Sequence, residues 1–384
     1  MVKRMALYLD YGATSPVRKE VLDSMLPFFS EIFGNPGSIH DMGRQAHSHI
    51  QAGREQIAHA IGASSPREIL FTSSGTEANN LAIIGTALYH QKRGNHIITS
   101  SIEHPSVLEA CRYLEQLGFE VTYLPVDRFG QISVLDVEQA ITPKTILISV
   151  MAANNEVGTI QPIKQITQLI KDKEILFHTD AVQFFGKLPC DVEELGVDLL
   201  SIGSHKIYGP KGIGSLYVRK GVRLTPLLHG GGQERNWRPS TLNTPAIVGF
   251  GKAASLIAGE LAAEKTRQEE IRDYFWRGLQ QLGDVVLNGH PTDRLPNNIN
   301  VSFERLEGQA ILLELNRKQI FVSSGSACSA GKHLPSHVLM AMGNDLDNAY
   351  QSLRFTIGKD TTKENIDYVL SELKKITHYL KSII

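Results

Sequence analysis

From about residue 65 the chain alternates short apolar runs with segments of helical periodicity, and that alternation leaves few folds open to it. The runs 68–72, 96–100, 120–125, 145–151, 175–180, 198–202 and 214–219 read as strands. Helical segments lie between most of them, among them 77–88, 106–117 and 163–171. Strands separated by helices of this length imply βαβ units and an α/β fold with a mostly parallel sheet flanked by helices. The strand composition agrees. Ile146-Leu-Ile-Ser-Val150 is a near-continuous apolar run, as expected of a strand covered on both faces.

The order then changes. A long helical stretch over 245–282 ends near Gly283. Strands follow over 284–288 and 298–303, a helix over 309–315, a strand over 352–357 and a closing helix from about Lys363. In that helix Ile366, Val369, Leu370, Leu373 and Ile376 recur at helical spacing. The pattern predicts a large α/β domain over 14–260. A smaller α+β domain is expected from 1–13 together with 261–384. Two domains suit a chain of 384 residues.

A formal net charge of −1 gives no basic excess for a nucleic acid or an anionic membrane, so neither is expected as a direct partner. The first ten residues hold too short an apolar run for a secretory leader. The apolar patch over 247–263 is interrupted by glycine, lysine and glutamate, so no membrane span is expected. Three cysteines, Cys111, Cys190 and Cys328, argue for a reducing compartment, read here as the cytoplasm. Cys111 falls in a predicted amphipathic helix and Cys190 follows a proline, so both are assigned structural roles.

Five polar features follow five of the predicted strands. Ser204-His205-Lys206 stands before a glycine-rich turn, where a lysine among small residues can approach a planar cofactor as a nucleophilic amine. Asp180 closes the strand 175–180 and can hold a pyridine nitrogen protonated. Ser73-Ser-Gly-Thr76 sits at a predicted helix start, a natural anion site. His104 can stack on a flat ring and exchange protons. Asn154-Asn155-Glu156 makes a polar turn. Each has a plain structural explanation when taken singly: a loop lysine, two helix caps, two turns. Their common position at strand ends, where open α/β sheets bind ligands, points to one site.

With those residues in view, the chain resembles the cysteine desulfurases of the NifS/IscS type, class V of the fold-type I pyridoxal-phosphate (PLP) enzymes. The resemblance rests on an ordered set of segments. They are Tyr8-Leu-Asp10, Phe33-Gly-Asn-Pro-Gly-Ser38, Ser74-Gly-Thr-Glu77, Glu103-His104, Asn154-Asn-Glu-Val-Gly158 and His178-Thr-Asp-Ala-Val-Gln183. Then come Ser204-His-Lys-Ile-Tyr-Gly-Pro-Lys-Gly212, Gly230-Gly-Gly-Gln-Glu-Arg235, Ser323-Ser-Gly-Ser-Ala-Cys328 and Leu353-Arg-Phe355. It implies a homodimer that takes L-cysteine to L-alanine. The sulfur would pass as a persulfide to an acceptor protein for iron–sulfur assembly or for tRNA or DNA thiolation.

The resemblance also assigns roles. Lys206 would carry the cofactor and shuttle the substrate proton. Asp180 would meet the pyridine nitrogen, Gln183 the ring hydroxyl and His104 the ring face. Gly75, Thr76 and His205 would hold the phosphate, with Thr241 reaching it from a second subunit. Asn155 would lie near ring and substrate. Arg354 would clamp the substrate carboxylate, with Asn35 nearby. Cys328, in a loop of small residues, would take the sulfur.

Some segments depart from the family pattern. Gly203 stands where relatives often carry a phosphate-binding serine, which makes Ser204 the nearest hydroxyl. Asp10-Tyr-Gly-Ala-Thr14, Arg238-Pro-Ser-Thr241 and Lys332-His-Leu-Pro335 are also unusual, and no scaffold-docking tail follows Ile384. A PLP aminotransferase or lyase would keep Lys206 and Asp180 without needing Cys328. A degenerate homologue that only binds a partner would need none of the three.

Overall fold

In a computed structural model of the chain, which describes residues 6–324 and 335–383, the strand pattern resolves into three sheets. After a short strand β1 (Leu7–Tyr8) come β2 (Ile69–Thr72), β3 (His96–Ser100), β4 (Glu120–Leu124), β5 (Thr145–Ser149) and β6 (Leu176–Asp180). These lead to β7 (Leu199–Gly203) and β8 (Gly214–Val218). The strands β2 to β8 form a seven-stranded sheet in the order β2-β8-β7-β6-β5-β3-β4.

The expected mostly parallel sheet is present, with one reversal: β8 runs antiparallel to both neighbours. The connection 204–213 is too short for a crossover helix, so β8 must turn straight back along β7. Because β2 pairs antiparallel with β8, it regains the direction of β7. The carboxyl ends of six strands therefore share one edge. All residues of β2, β3, β5, β7 and β8 are buried, as in strands covered on both faces.

The helix Asp41–Ala60 lies before the region in which the sequence shows a clear pattern. Its buried positions, Gly43, Ala46, Ile50, Gly53, Arg54 and Ile57, do recur at helical spacing. Glycine, alanine and arginine dilute the apolar signal. They are there for close packing: a Cβ on Gly251 would lie only 2.5 Å from the Cα of Gly53. Gly251 belongs to the long helix Thr244–Gln280, which is long and apolar enough to cross a membrane by length and composition. In this fold its Ile247, Phe250, Ala253 and Ile257 pack into the main core, while Ile271, Phe275 and Leu279 pack into a second core.

That second core lies under a sheet in the order β12-β13-β10-β9, made of β9 (Val285–Asn288), β10 (Asn298–Phe303), β12 (Ser323–Ser324) and β13 (Ser352–Thr356). The closing helix Lys363–Lys381 contributes Ile366, Val369, Leu373 and Ile376 to it. From the start of the chain, β1 pairs parallel with β11 (Ile320–Phe321), Leu9 enters the same core and Asp10 bridges to Thr356. The chain then runs directly to the carboxyl edge of the large sheet.

Candidate active site

At that edge lies a cleft of about 270 Å³ lined by Ala13, Gly75, Thr76, Asn79, His104, Ser106, Asn155, Asp180, Gln183, His205 and Lys206, among others. Eight of these were singled out from the sequence: Gly75, Thr76, His104, Asn155, Asp180, Gln183, His205 and Lys206.

The lysine ends a 3-10 turn, Ser204–Lys206, at the end of β7. Its Nζ donates to the carbonyls of Gly12 at 2.5 Å and Ala13 at 2.7 Å. The Gly12 carbonyl also accepts from Gln183 Nε2 at 2.9 Å. A 3-10 turn rotates neighbouring side chains onto different faces. Lys206 enters the cleft; Gly203, the extended last residue of β7, lies outside the turn, and a Cβ there would touch Val182 and His205 at 3.5 and 3.7 Å. Ser204 faces the other way. Its Oγ is buried against Gly209, without a partner among the described residues, so it does not replace the hydroxyl that relatives carry at 203.

Asp180 is fixed from two sides. Asn79 Nδ2 donates to its Oδ2 at 2.6 Å and the Val182 N–H donates to its Oδ1 at 2.9 Å. The same Asn79 amide donates to Ser106 Oγ at 2.8 Å. Ser106 Oγ in turn lies 2.8 Å from His104 Nδ1, which also accepts from the Ser106 N–H at 3.1 Å. Since Nδ1 is an acceptor, the proton of neutral His104 sits on Nε2. Burial pulls the His104 pKa below its ordinary value, with Asp180 opposing and Lys206 and His337 adding to the fall. Asn79 and Ser106 received no role from the sequence. The signal was available for Asn79, which lies one turn into the helix Gly75–His90 from Gly75 and Thr76.

The start of that helix forms the other end of the cleft. Ser74 Oγ accepts from the Glu77 N–H, and Glu77 pairs with Arg238 at 2.7 Å. Its first-turn N–H groups make an anion site. Glycine is needed at two places: a Cβ on Gly75 would meet Val182 Cγ2 at 2.7 Å, and one on Gly214 would meet the Ser74 carbonyl carbon at 2.5 Å. His205 Nδ1 lies 3.1 Å from Thr14 Oγ1. Burial lowers the His205 pKa to about 4, helped by Lys206 and Lys211.

Arg354 lies beside the cleft. It sits in β13, 2% exposed, donating through Nη1 to the Asn155 carbonyl at 2.8 Å and through Nη2 to Asp10 Oδ1 at 2.9 Å. Asn35 and Thr241 do not reach the cleft within one chain. They line a separate cavity of about 620 Å³ with Arg54, Arg67, Glu234 and Arg235. Cys328 lies outside the described residues. Cys111 and Cys190 are buried, and burial raises both thiols to about 12, which leaves them poor nucleophiles.

The donor set fits pyridoxal phosphate. It offers a fixed carboxylate for a ring nitrogen, an imidazole on the cleft wall, a helix start with a hydroxyl residue for a phosphate, and a lysine amine between them. The comparisons agree. The aminotransferase class-V family model matches residues 7–369. A cysteine desulfurase IscS from Dictyoglomus turgidum is 53% identical over 378 residues, covering 98% of this chain and 96% of the relative. A solved NifS-like protein is 41% identical with a TM-score of 0.93, covering 98% of this chain and all of that one. A solved structure of SspA in complex with cysteine is also 41% identical, with a TM-score of 0.82, covering 91% and 98%.

Proposed function

The chain belongs to the class-V aminotransferase family, and from that premise we propose that it works as a pyridoxal-phosphate-dependent cysteine desulfurase whose residues divide the reaction as follows. The observation that carries this reading is the convergence of Lys206, Asp180, His104 and Thr76 on one cleft.

Asp180 takes the cofactor's ring nitrogen, Gln183 its ring hydroxyl and His104 its face. Gly75, Thr76 and His205 take the phosphate. Bound there, the cofactor supplies the sink for the electron pair released at the substrate Cα. Lys206 holds the cofactor and moves the proton at that carbon, and the Gly12 and Ala13 carbonyls accept from its amine when it is not bonded to the cofactor. Arg354 binds the substrate carboxylate, with Asn155 completing that side. The Cys328 thiolate then attacks the substrate sulfur. The carbon–sulfur bond breaks, the sulfur stays on Cys328 as a persulfide, and the carbon skeleton leaves as L-alanine.

We assign the large domain to 14–260 and the small one to 1–13 with 261–384, which puts Lys206 and Cys328 on different domains. The working unit we assign is a homodimer in which the partner subunit's Thr241 completes the phosphate site. Exposed Phe33 and Ile39 flank in sequence the segment 35–37 that lines the cavity holding Asn35 and Thr241, which supports a covered face there. A monomer at sedimentation equilibrium would remove this assignment. We place the enzyme in the cytoplasm, with an iron–sulfur assembly protein as acceptor. A thiolation enzyme is the alternative acceptor. Mass spectrometry of persulfide transfer to each candidate acceptor distinguishes the two.

The test of the reaction is release of L-alanine from L-cysteine with one equivalent of sulfane sulfur. Cys328→Ser should keep the visible absorbance of the lysine-bound cofactor and lose alanine release. Lys206→Ala should lose that absorbance. Full turnover by the Cys328→Ser enzyme would overturn the assignment.

A further inference from the structure

Arg354 is among the largest fully buried side chains of the protein. A guanidinium so placed is costly unless an anion answers it. Asp10 makes the direct ion pair, at 2.9 Å. The other carboxyl close by, Glu156, is pushed up to about 7 by burial and accepts a hydrogen bond from Ser336 Oγ.

The fork is only partly used. It carries five N–H donors. Asp10 takes one at Nη2 and the Asn155 carbonyl takes one at Nη1. Nε is buried with no partner among the described residues. An acceptor is therefore wanted at the Nε edge, and a carboxylate fits a guanidinium edge with two parallel bonds.

Asp10 is held in place by its surroundings. It bridges to Thr356, and the Gly12 N–H donates to Thr356 Oγ1 at 2.7 Å. A Cβ on Gly12 would stand 3.4 Å from Arg354 Cζ, so the segment lies directly against the guanidinium. Two residues on, the same segment offers the carbonyls that accept from Lys206.

We infer that Asp10 is a positioning residue for substrate binding: a resident carboxylate that keeps the Arg354 fork aligned and neutralised in the empty enzyme and weakens its hold on an incoming carboxylate. This rests on the reading of Arg354 as the substrate-carboxylate site. When an amino acid arrives, two carboxylates share one guanidinium and repel each other. Substrate and product carry the same carboxylate, so the weakening applies to both, and L-alanine is released more readily than a lone arginine would allow.

The test uses holoenzyme titrated with L-alanine and followed by the visible absorbance of the cofactor. Asp10→Asn keeps an oxygen for Nη2 and removes the charge. It should bind L-alanine about threefold to tenfold more tightly and lower KM for L-cysteine in the same proportion. If the Asn variant does not fold, Asp10→Ser, also neutral and smaller, should move both constants in the same direction. Loss of a merely structural contact would raise both instead, and unchanged or weaker alanine binding overturns the inference. Arg354→Gln separates the two claims. If it leaves alanine affinity unaltered, the carboxylate-site reading falls. If it weakens alanine binding while neither neutral Asp10 variant tightens it, only the role of Asp10 falls.

Discussion

In the strand-end cleft each functional side chain follows its own strand: Thr76 after β2, His104 after β3, Asn155 after β5, Asp180 at the end of β6 and Lys206 after β7. The corner at Arg354 is assembled differently. Its guanidinium in β13 meets Asp10 from the other end of the chain and a carbonyl from the turn after β5. The cleft is a row of local turns brought into register by one parallel sheet. The corner exists only because the small sheet is docked on the large one. The cofactor site therefore tolerates changes that leave the large sheet intact, whereas the substrate corner depends on how the two cores meet.

Three substitutions test that difference. The largest effect is expected in the cleft. Asp180→Ala removes the acceptor of both Asn79 Nδ2 and the Val182 N–H. Turnover should fall by at least about 10²-fold, the scale of a lost acid–base or electrostatic partner. Alanine release in steady state measures it, and near-normal turnover would remove Asp180 from the chemistry.

The second change acts at the corner. Arg354→Gln should raise KM for L-cysteine by about tenfold or more while the cofactor absorbance persists, since a buried charge partner is typically worth a few kcal/mol. Loss of the absorbance together with the rise in KM would mean that cleft and corner are one cooperative unit.

The smallest effect concerns the floor beneath the cleft. Glu103 is fully buried, accepting from Ser100 Oγ at 2.6 Å and the Met151 N–H at 2.9 Å. Burial raises its pKa from 4.5 to about 8. A raised carboxyl contributes stability that is present below about pH 4.5 and lost as the pH rises through about 8. Glu103→Gln, which cannot ionise, should escape that loss. Its Tm relative to the native protein should climb between about pH 5 and 8, by a few °C at most. A gap that stays flat with pH would show that Glu103 ionises freely in the fold.

The legibility of this protein follows its contacts. β3 and β10 were read at their observed bounds, and the other central strands within one or two residues, because short apolar runs such as that of β5 and the strict apolar alternation of β10 both mark strands. The helix Asp41–Ala60 was passed over because its packing face is built from glycine, alanine and arginine. That Ser204 turns away from the cleft while Lys206 enters it was not legible, because a 3-10 turn rotates neighbouring side chains onto different faces.

The large sheet, the strand-end position of Lys206, Asp180, His104 and Thr76, and the family were legible in the chain alone. Periodicity and turn chemistry are local, and each of these residues sits at the end of a pattern that runs up to it. That Asn79 holds Asp180, that Asn35 and Thr241 line a different cavity, and that Asp10 faces Arg354 emerge from the folded chain. Those pairings are fixed by where distant elements come to rest. A buried charge takes whichever opposite group the packing brings within reach, and spacing along the chain carries no record of that choice.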